Sequence, residues 1–376
     1  MTEKLLSLAA KIVAAAGRDK PADFVLRQEL KAQRGLSPND GRDASHAVFA
    51  YYRWLGWLDR RKPVSEQIRW ALQMDQMFAD DPYAIPESEI VRAVPPWTRE
   101  HLSTPVEWLR RLQQEPVLWL RCRRGTGEEI AAALGHCHPA GEGPLGDALQ
   151  YCGLTDLFRT PEFHQGKFEL QDLTSQVVGL ICGVQPGQTW WDACAGEGGK
   201  TLHLSDQMQN RGLIWASDRA DWRLKQLKRR TARAGVFNYR AVPWEGGTKL
   251  PTKTKFDGIL VDAPCSGVGT WQRNPHARWT TTPEDVQELA EVQKQLLSAV
   301  IPALKPGAKL VYSVCTLTRE ETDRVADFID AQFPQLKPAP IVNPLFPDAP
   351  PAPRLTLLPQ VTGGNGMYVA TWTAPQ

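Results

Sequence analysis

Two cysteines in the C-terminal half of this 376-residue chain have the type and placement needed for nucleophilic chemistry. Cys265 lies in FDGILVDAPCSGVG and Cys315 lies in KLVYSVCTLTREE. Each follows an apolar, β-branched run that predicts a strand. Ligands and catalytic groups collect at the carboxyl ends of strands in parallel α/β sheets. We therefore expect both thiols to face one crevice.

The elements that must position these thiols are predicted from Asp172 onward, where apolar strands alternate with helix-like segments. The strand-like segments are TWWDAC, LIWASD, FDGILVDAP and KLVYSVC. Apolar strands separated by helices predict a parallel sheet covered on both faces. A Pro-rich stretch from Lys337 to Pro359 precedes GGNGMYVATW, whose alternation predicts a late strand at the sheet edge.

Two further regions precede this sheet. Residues 1 to about 90 carry apolar residues at helical spacing in four segments, which predicts a small helical domain. From VPPWTREHL to about residue 170 the pattern changes, with VLWLRC a predicted strand and GEEIAAALG a predicted helix. We expect three domains: a helical domain over 1–91, a small α+β module over 92–170, and an α/β domain over 171–376.

The segment DACAGEGGKT follows the first strand and opens a helix. Gly196, Gly198 and Gly199 allow close backbone approach and present free amides at a helix N-terminus to a carboxylate or phosphate. The spacing fits neither a P-loop nor the GxGxxG of dinucleotide binders. Asp218 ends the second strand, where an acid grips ribose hydroxyls in nucleotide-binding folds, although a structural cap is the alternative.

Composition bounds the class of protein and its compartment. A hydrophobic content of 42% with 23% charged residues indicates a globular domain rather than a disordered chain. The N-terminal apolar stretch is broken by Lys11 and too short to cross a bilayer, so we expect a cytoplasmic protein without a membrane partner.

Charge permits a nucleic-acid partner without indicating one, since the net charge is only +2. The segment from Arg223 to Arg240 is more informative, because its seven basic residues have no acid among them. It is either a positive field beside the crevice or a solvated helix face.

The cysteines do not indicate a disulfide framework or a metal site. The seven cysteines have irregular spacings and no CxxC pair, and we expect Cys122, Cys152 and Cys182 to be small buried hydrophobes. The cluster of His136, Cys137 and His138 has no second cluster to complete a site, so we interpret it as a loop and expect no metal.

Four motifs together carry a family resemblance. LQDLTSQ (170–176), DACAGEGGKT (192–201), DAPCSGVGTWQRNP (262–275) and VYSVCTLTREE (311–321) occur in this order. The chain from about residue 165 to 376 resembles the RNA cytosine-C5 methyltransferases of the RsmB/NOP type, also called the Sun family. The helical N-terminus is similar to a shortened NusB-like RNA-binding domain, and PVLWLRCRRG resembles the RRM-like module of that family.

The resemblance implies a class I methyltransferase fold, a Rossmann-like sheet that is mostly parallel with a late antiparallel strand, and S-adenosylmethionine as cofactor. It implies that the Cys315 thiolate adds to carbon 6 of cytosine, which makes carbon 5 nucleophilic. Cys265 would take part in release, and Asp262 would hydrogen-bond or protonate the ring at N3. Lys200 would orient Asp262 and the base, and its charge would favour a thiolate.

The resemblance also implies two sets of binding residues. The expected cofactor-binding residues are Asp192, Cys194, Ala195, Gly196, Glu197, Gly198, Gly199, Lys200, Asp218, Arg223, Trp244, Glu245, Asp262 and Pro264. The expected RNA-binding residues are Arg229, Arg230, Trp271, Arg273 and Trp279, with a salt bridge as the alternative role of Arg273.

The chain departs from the family pattern at three places. Gly196 and Glu197 replace the usual Ala and Pro, which adds a carboxylate beside the cofactor. After the third strand, AVPWEGG lacks the usual Asp, so Glu245 would substitute for it or Trp244 would stack on the adenine. In the last motif, Val314 and Thr322 replace the usual Thr and Asn.

The predicted function is methylation of cytosine C5 in ribosomal RNA, with the small-subunit RNA favoured, by a monomeric enzyme. One alternative is an RNA-binding ribosome-assembly protein that keeps the fold without catalysis, and another is a tRNA cytosine-C5 methyltransferase. A DNA methyltransferase would use the Pro-Cys cysteine itself as nucleophile, and the second motif cysteine, Cys315, argues against it.

Overall fold

The structure is a computed structural model that describes residues 1–33 and 35–376. It divides into two compact units, Met1–Pro116 with Gly267–Asp285, and Val117–Ser266 with Val286–Gln376. The boundaries of these units differ from the expected domain boundaries after residues 91 and 170. The first unit continues to Pro116 and includes Gly267–Asp285 from the second half of the chain. The division into three domains stays a proposal.

The first unit is helical, in agreement with the predicted amphipathic segments. Its N-terminal part contains four longer helices followed by three short ones. They are α1 (Glu3–Ala15), α2 (Ala22–Ala32), α3 (Pro38–Arg53), α4 (Val64–Asp80), α5 (Glu87–Ile90), α6 (Thr98–His101) and α7 (Val106–Arg111).

The segment Gly267–Asp285 supplies part of the interior of the first unit. Trp271 is fully buried and stacks on Trp108, with ring centroids 6.4 Å apart and an interplanar angle of 28°. The edge of Trp97 packs against the same ring at 6.0 Å. Aromatic groups in such arrangements bury much apolar surface and define the position of the backbone that carries them.

Arg278 lies in this interior with no exposed surface. Its guanidinium donates hydrogen bonds to the carbonyl oxygens of Ala93 at 2.8 Å and Leu112 at 2.9 Å, and to Oε1 of Gln113 at 3.1 Å. A buried cation requires such acceptors, because the desolvation it undergoes is otherwise uncompensated. Arg278 therefore ties the 267–285 segment to α7 and to the residues before α6.

The second unit begins with a small antiparallel sheet, which confirms the predicted strand VLWLRC and helix GEEIAAALG. Its four strands pair in the order β2-β3-β1-β4. Cys137, which was expected in a loop, lies in β2 opposite Tyr151. The elements are β1 (Leu118–Cys122), α8 (Gly127–Leu134), β2 (Cys137–Pro139), β3 (Ala148–Tyr151), α9 (Pro161–His164) and β4 (Phe168–Leu170).

The rest of the chain forms the larger sheet and its helices, apart from α13 and the first three residues of α14, which belong to the first unit. The helices are α10 (Leu173–Cys182), α11 (Gly199–Gln207), α12 (Asp221–Arg233), α13 (Ala277–Thr280), α14 (Pro283–Val300), α15 (Asp323–Gln332) and α16 (Pro359–Thr362). The strands are β5 (Thr189–Asp192), β6 (Leu213–Asp218), β7 (Tyr239–Pro243), β8 (Phe256–Asp262), β9 (Leu304–Val314), β10 (Lys337–Pro338), β11 (Arg354–Leu357) and β12 (Met367–Thr373).

The larger sheet has the order β10-β12-β9-β8-β5-β6-β7, and β11 also pairs with β12. The strands from β5 to β9 are parallel, whereas β12 runs antiparallel to β9. This topology confirms the predicted Rossmann-like sheet, mostly parallel with a late antiparallel strand.

Alternating side chains of the sheet enter two separate cores, as the twofold period of a strand requires. On one face, the strands pack against α14 and α15 through Trp191, Ile259, Leu310, Leu297 and Val325. On the other, they pack against α10 and α11 through Trp190, Leu260, Val311, Val177 and Leu204. The sheet is therefore covered on both faces, as its apolar strands predict.

The carboxyl ends of the parallel strands meet at one edge of the sheet. In the β8–β9 pair, Asp262 lies opposite Ser313, so the residues that follow both strands emerge side by side. Cys265 and Cys315 lie in those following segments. Among the described residues, no helix is both long and apolar enough to cross a lipid bilayer.

We predict that Arg278→Met lowers the free energy of unfolding by roughly 3 kcal/mol, because it leaves the carbonyl groups of Ala93 and Leu112 buried without a donor. Guanidinium chloride unfolding followed by tryptophan fluorescence measures this change. Arg273→Met is the matched control, since Arg273 is exposed on the same segment and its loss is expected to cost less than about 0.5 kcal/mol. Equal stability of the two variants would contradict the role of Arg278.

Candidate active site

A cavity of about 450 Å³ lies at the carboxyl ends of the central strands of the larger sheet. Its volume is in the range of small-molecule and cofactor sites. Two of its lining residues are the thiols Cys265 and Cys315. Most of the predicted cofactor residues also line it, namely Asp192, Cys194, Ala195, Gly196, Glu197, Gly199, Lys200, Asp218, Arg223, Trp244, Glu245, Asp262 and Pro264.

The glycine-rich turn between β5 and α11 is held by Asp218 at the end of β6. Gly196 has φ +56°, and a Cβ at this position would meet no atom within 4 Å. The N–H of Gly196 donates to Asp218 Oδ2 at 3.0 Å, and the N–H of Ala220 donates to Oδ1 at 2.8 Å. Asp218 therefore accepts hydrogen bonds from the loops that follow β5 and β6, and it also lines the cavity.

Gly198 has a different role from the one predicted. Its φ is +88°, and a Cβ there would lie 2.7 Å from Cγ of Leu227 in α12. Gly198 is not among the residues that line the cavity. Its glycine identity is explained by close packing between the start of α11 and α12, and cofactor contact is not needed to explain it.

Two residues after β7 line the cavity where the family pattern has an Asp. Trp244 is buried, and its ring lies 4.9 Å from that of Trp191, while its indole N–H donates to the Gly247 carbonyl. Glu245 is exposed. Trp244 is thus a core residue that also lines the cavity. Glu245 presents an exposed carboxylate at the same cavity.

Lys200 of α11 and Asp262 of β8 form an ion pair inside the cavity, with Nζ and Oδ2 2.6 Å apart. The hydroxyl of Ser313 donates to the other carboxylate oxygen at 2.7 Å. Burial lowers the pKa of Lys200, but the attraction of Asp262 and, to a smaller extent, of Cys315 outweighs it and raises that pKa. The site therefore holds an ammonium group whose charge interacts with both Asp262 and Cys315.

Asp192 lies beneath this pair and has no exposed surface. One carboxylate oxygen accepts from the Thr201 hydroxyl at 2.6 Å, and the other has no hydrogen-bond partner among the described residues. Burial raises the pKa of Asp192 to about 7, since the charged form loses its hydration.

The two thiols meet from neighbouring loops, with the Cys265 and Cys315 sulfur atoms 3.3 Å apart. Both residues are half-buried. Cys265 packs against the α14–α15 core and Cys315 against the α10–α11 core, so they approach the strand edge from opposite faces of the sheet. Cys194 is a third thiol of the cavity, but burial raises its pKa well above the usual value, which makes it a poor nucleophile.

The expected RNA-binding residues differ in their exposure and in their contacts. Trp271 is wrong as a base-stacking residue, because it is fully buried in the first unit. The half-buried Trp279 donates its indole N–H to the Tyr52 carbonyl. Arg230 is bound to the buried Glu169, with Nη2 and Oε2 2.9 Å apart, so it is not a free phosphate ligand. Arg229 and Arg273 are exposed.

The sequence analysis missed three polar residues of the site. Ser313 binds Asp262, and Glu321 and Gln293 form a buried network behind the thiols. One signal was available in VYSVCTLTREE, a serine inside an apolar strand, whereas Glu321 lies in the charged run of residues 319–324 and has no local signal of its own. Gln293 lies on α14 without any local signal.

The residues of the cavity fit S-adenosylmethionine. The open side of Gly196 leaves room for a ligand against the backbone, and Asp218 offers acceptor capacity for ribose hydroxyls. Glu197 and Glu245 are exposed carboxylates on the rim, where an ammonium group could be paired. These acceptors are therefore suited to a ligand that carries hydroxyls at one end and an ammonium group at the other.

Comparison with known sequences supports this assignment. The family described as 16S rRNA methyltransferase RsmB/F matches residues 180–373. The chain is 32% identical over 278 residues to "Probable ribosomal RNA small subunit methyltransferase B" of Synechocystis sp., covering 71% of this chain and 61% of that protein. It is 34% identical over 220 residues to "Ribosomal RNA small subunit methyltransferase F" of Cronobacter sakazakii, covering 56% and 45%. The chain thus spans about half the length of these relatives.

Solved structures support the fold. The crystal structure of PH0851 matches with a TM-score of 0.81 and 20% identity over 99% of both chains. NSun6 from Pyrococcus horikoshii, solved with SFG, matches with a TM-score of 0.62 and 20% identity over 72% of this chain and 94% of that one. At these identities the likeness concerns the fold.

We predict that Asp192→Asn changes how stability depends on pH. Folding raises the Asp192 pKa from 3.8 to about 7, so the folded protein keeps a proton that the unfolded chain loses in this window. The free energy of unfolding contributed by this group therefore falls as pH rises from about 4 to 7. Denaturant unfolding at several pH values should show a shallower fall for Asp192→Asn. Asp348→Asn, at an exposed position, should follow the wild type; parallel curves for all three proteins would refute the assignment.

Proposed function

Because the chain belongs to the RsmB/F family of 16S rRNA methyltransferases, we propose that it methylates carbon 5 of a cytosine in ribosomal RNA. The small-subunit RNA is the favoured substrate, since the relatives named above are small-subunit methyltransferases. The observation that carries the proposal is the pair of thiols, Cys265 and Cys315, 3.3 Å apart in the same cavity as the Lys200–Asp262 ion pair.

Two adjacent thiols suit this reaction because carbon 5 of cytosine is a weak nucleophile. We assign the attack to Cys315, whose thiolate adds to carbon 6 and moves the ring electrons toward carbon 5 and N3. Lys200 stabilises the thiolate before attack. Asp262, held by Lys200 and Ser313, is placed to bind the polar edge of the base, where charge develops in the adduct.

Release of the product requires a second group. After carbon 5 has gained the methyl group, its proton goes to a base and the carbon–sulfur bond breaks, which returns the electron pair to Cys315. We assign Cys265 a part in this elimination, because its sulfur lies 3.3 Å from the Cys315 sulfur. The two cysteines would thus act in sequence.

S-adenosylmethionine would supply the electrophilic methyl group. We propose that Asp218 and the Gly196 turn bind its ribose and amino-acid portions, with Glu197 or Glu245 beside the ammonium group. Lys200 and Asp262 line the same cavity as the thiols. The cofactor and the base would therefore meet between the β5 and β8 strand ends.

We propose that RNA approaches along α12, whose cations adjoin the cavity. Arg223, Lys225, Lys228 and Arg229 are exposed, and so is Trp222 at 57% of its surface. Cations that track phosphates give affinity without sequence preference, and an exposed indole offers a stacking face. The target cytosine must leave its stack to reach the thiols, so an unpaired or precursor RNA region is the expected substrate.

Methyl transfer from radiolabelled S-adenosylmethionine tests the proposed function. The purified chain should label small-subunit rRNA taken from a strain that lacks this gene, and bisulfite sequencing should place the label at one cytosine. Label in tRNA alone would support the tRNA alternative. No label in any RNA pool, with cofactor binding intact, would support the non-catalytic assembly factor.

We predict that Cys265→Ala accumulates a covalent protein–RNA adduct, whereas Cys315→Ala forms none. Without Cys265 the carbon–sulfur bond forms but its elimination is slow, and without Cys315 the bond cannot form. Denaturing gel electrophoresis of the protein incubated with RNA and cofactor detects the adduct. Cys152→Ala is the matched control, because Cys152 is exposed and lies outside the cavity. An adduct in Cys315→Ala instead would reverse the two roles.

A further inference from the structure

A buried carboxylate lies directly behind the two cysteine loops. Glu321 follows the Cys315 loop and has no exposed surface. Its Oε1 accepts from the backbone N–H of Ser266 at 2.8 Å. Its Oε2 accepts from the hydroxyls of Ser266 and of Thr318, the latter at 2.8 Å, and lies 3.1 Å from the Thr316 hydroxyl.

The same carboxylate is bound from α14. The Gln293 amide donates to Glu321 Oε1 at 3.0 Å and to the Pro264 carbonyl at 2.9 Å. Tyr312 on β9 completes the network, since its hydroxyl lies 2.9 Å from Gln293 Oε1 and 2.6 Å from the Glu321 carbonyl. Gln293 and Tyr312 are fully buried.

The partners of Glu321 are the residues next to the thiols. Ser266 directly follows Cys265, and Thr316 directly follows Cys315. The hydroxyls of Ser266 and Thr316 are also 2.9 Å apart. One carboxylate therefore joins the loop after β8 to the loop after β9, at the level where the sulfur atoms meet.

We propose that Glu321 is a positioning residue that keeps the Cys265 and Cys315 sulfur atoms in contact, 3.3 Å apart. The expected effect of Glu321 on catalysis rests on the proposed function. Glu321 acts through the backbone of Ser266 and through the Thr316 hydroxyl, both of which it binds.

The chemistry of the network explains why a carboxylate is used. An ionised carboxylate is an acceptor with about four lone-pair sites, and the groups that face Glu321 are donors. Charge-assisted bonds of this kind are shorter and stronger than neutral ones. Removal of the carboxylate would leave the Ser266 N–H and one N–H of the Gln293 amide without an acceptor, so the Cys265 loop would relax away from Cys315.

The test measures the thiol pair by a reaction that does not need RNA. Diamide accepts two electrons and two protons from two thiols and leaves a disulfide, and peptide mapping of the non-reduced protein counts the Cys265–Cys315 bond. We expect wild-type protein to form this bond fastest. Glu321→Ala should slow it at least tenfold, and Glu321→Gln and Ser266→Ala should give intermediate rates, because both keep part of the network.

The same variants are then assayed for methyl transfer and for cofactor binding. Glu321→Ala should lower kcat by about 10²-fold, with the Kd for S-adenosylmethionine unchanged. Glu320→Gln is the matched control, since that neighbouring carboxylate pairs with Arg324, at 3.1 Å, and it should keep wild-type rates in both assays. Alkylation of the exposed Cys152 gives an internal reference for general thiol reactivity.

Three results would overturn the proposal. One is an unchanged disulfide rate in Glu321→Ala, and another is an equal loss in Glu320→Gln. The third is a loss of kcat that tracks the loss of cofactor binding across the series. If Glu321→Ala does not fold, Ser266→Ala and Thr318→Val decide the question by the same readouts. Failure of the proposed function is distinguishable, because a protein that methylates no RNA would still show the Glu321 effect on the disulfide rate.

Discussion

The buried Lys200–Asp262 ion pair is the interaction on which the geometry of the crevice depends. A helix, α11, supplies the ammonium group, and the central strand β8 supplies the carboxylate, which also accepts from Ser313 on β9. Because a charge removed from water must be paired where it lies, neither partner can shift without the other. The glycine-rich turn at the start of α11 is thereby fixed relative to both cysteine loops.

Two carboxylates divide the task of ordering this edge of the sheet. Asp262 faces the cavity and binds the cation, whereas Glu321 faces the interior and binds hydroxyl and amide donors. The thiols lie between them and come from opposite cores. Apolar packing brings the strands together, but directional polar contacts define the distance between the sulfur atoms. The stability of the sheet therefore depends on apolar packing, whereas the distance between the thiols depends on polar contacts.

Sequence patterns predicted a parallel sheet and a crevice at its strand ends, because local periodicity marks the strands and turns that form them. The apolar runs before Cys265 and Cys315, and the glycines before α11, carry that information within a few residues. Arg230 could not be interpreted in this way, since its partner Glu169 is 61 residues away. The contacts of Trp271 and Arg278 could not be predicted either, since their partners are also distant in the sequence. Trp271 follows an active-site motif in the sequence, but its ring is in the core of the helical unit.

The same reasoning applies to the composition of the two compact units. A change in local pattern marks where one kind of element gives way to another, and it does not show which distant segment completes a core. The antiparallel sheet from β1 to β4 has its own pattern, yet it belongs to the compact unit of the larger sheet. Glu321 illustrates the point at the site, because its five donors come from three separate stretches of the chain.

The excursion of residues Gly267–Asp285 into the first unit has a consequence for biosynthesis. A ribosome delivers the chain from its N-terminus, so Met1–Pro116 emerges while Trp271 and Arg278 have yet to be translated. The carbonyl groups of Ala93 and Leu112 must remain without their guanidinium donor throughout that interval. The helical unit is thus finished only after most of the other unit has been made, unlike a domain that closes as soon as it leaves the exit tunnel.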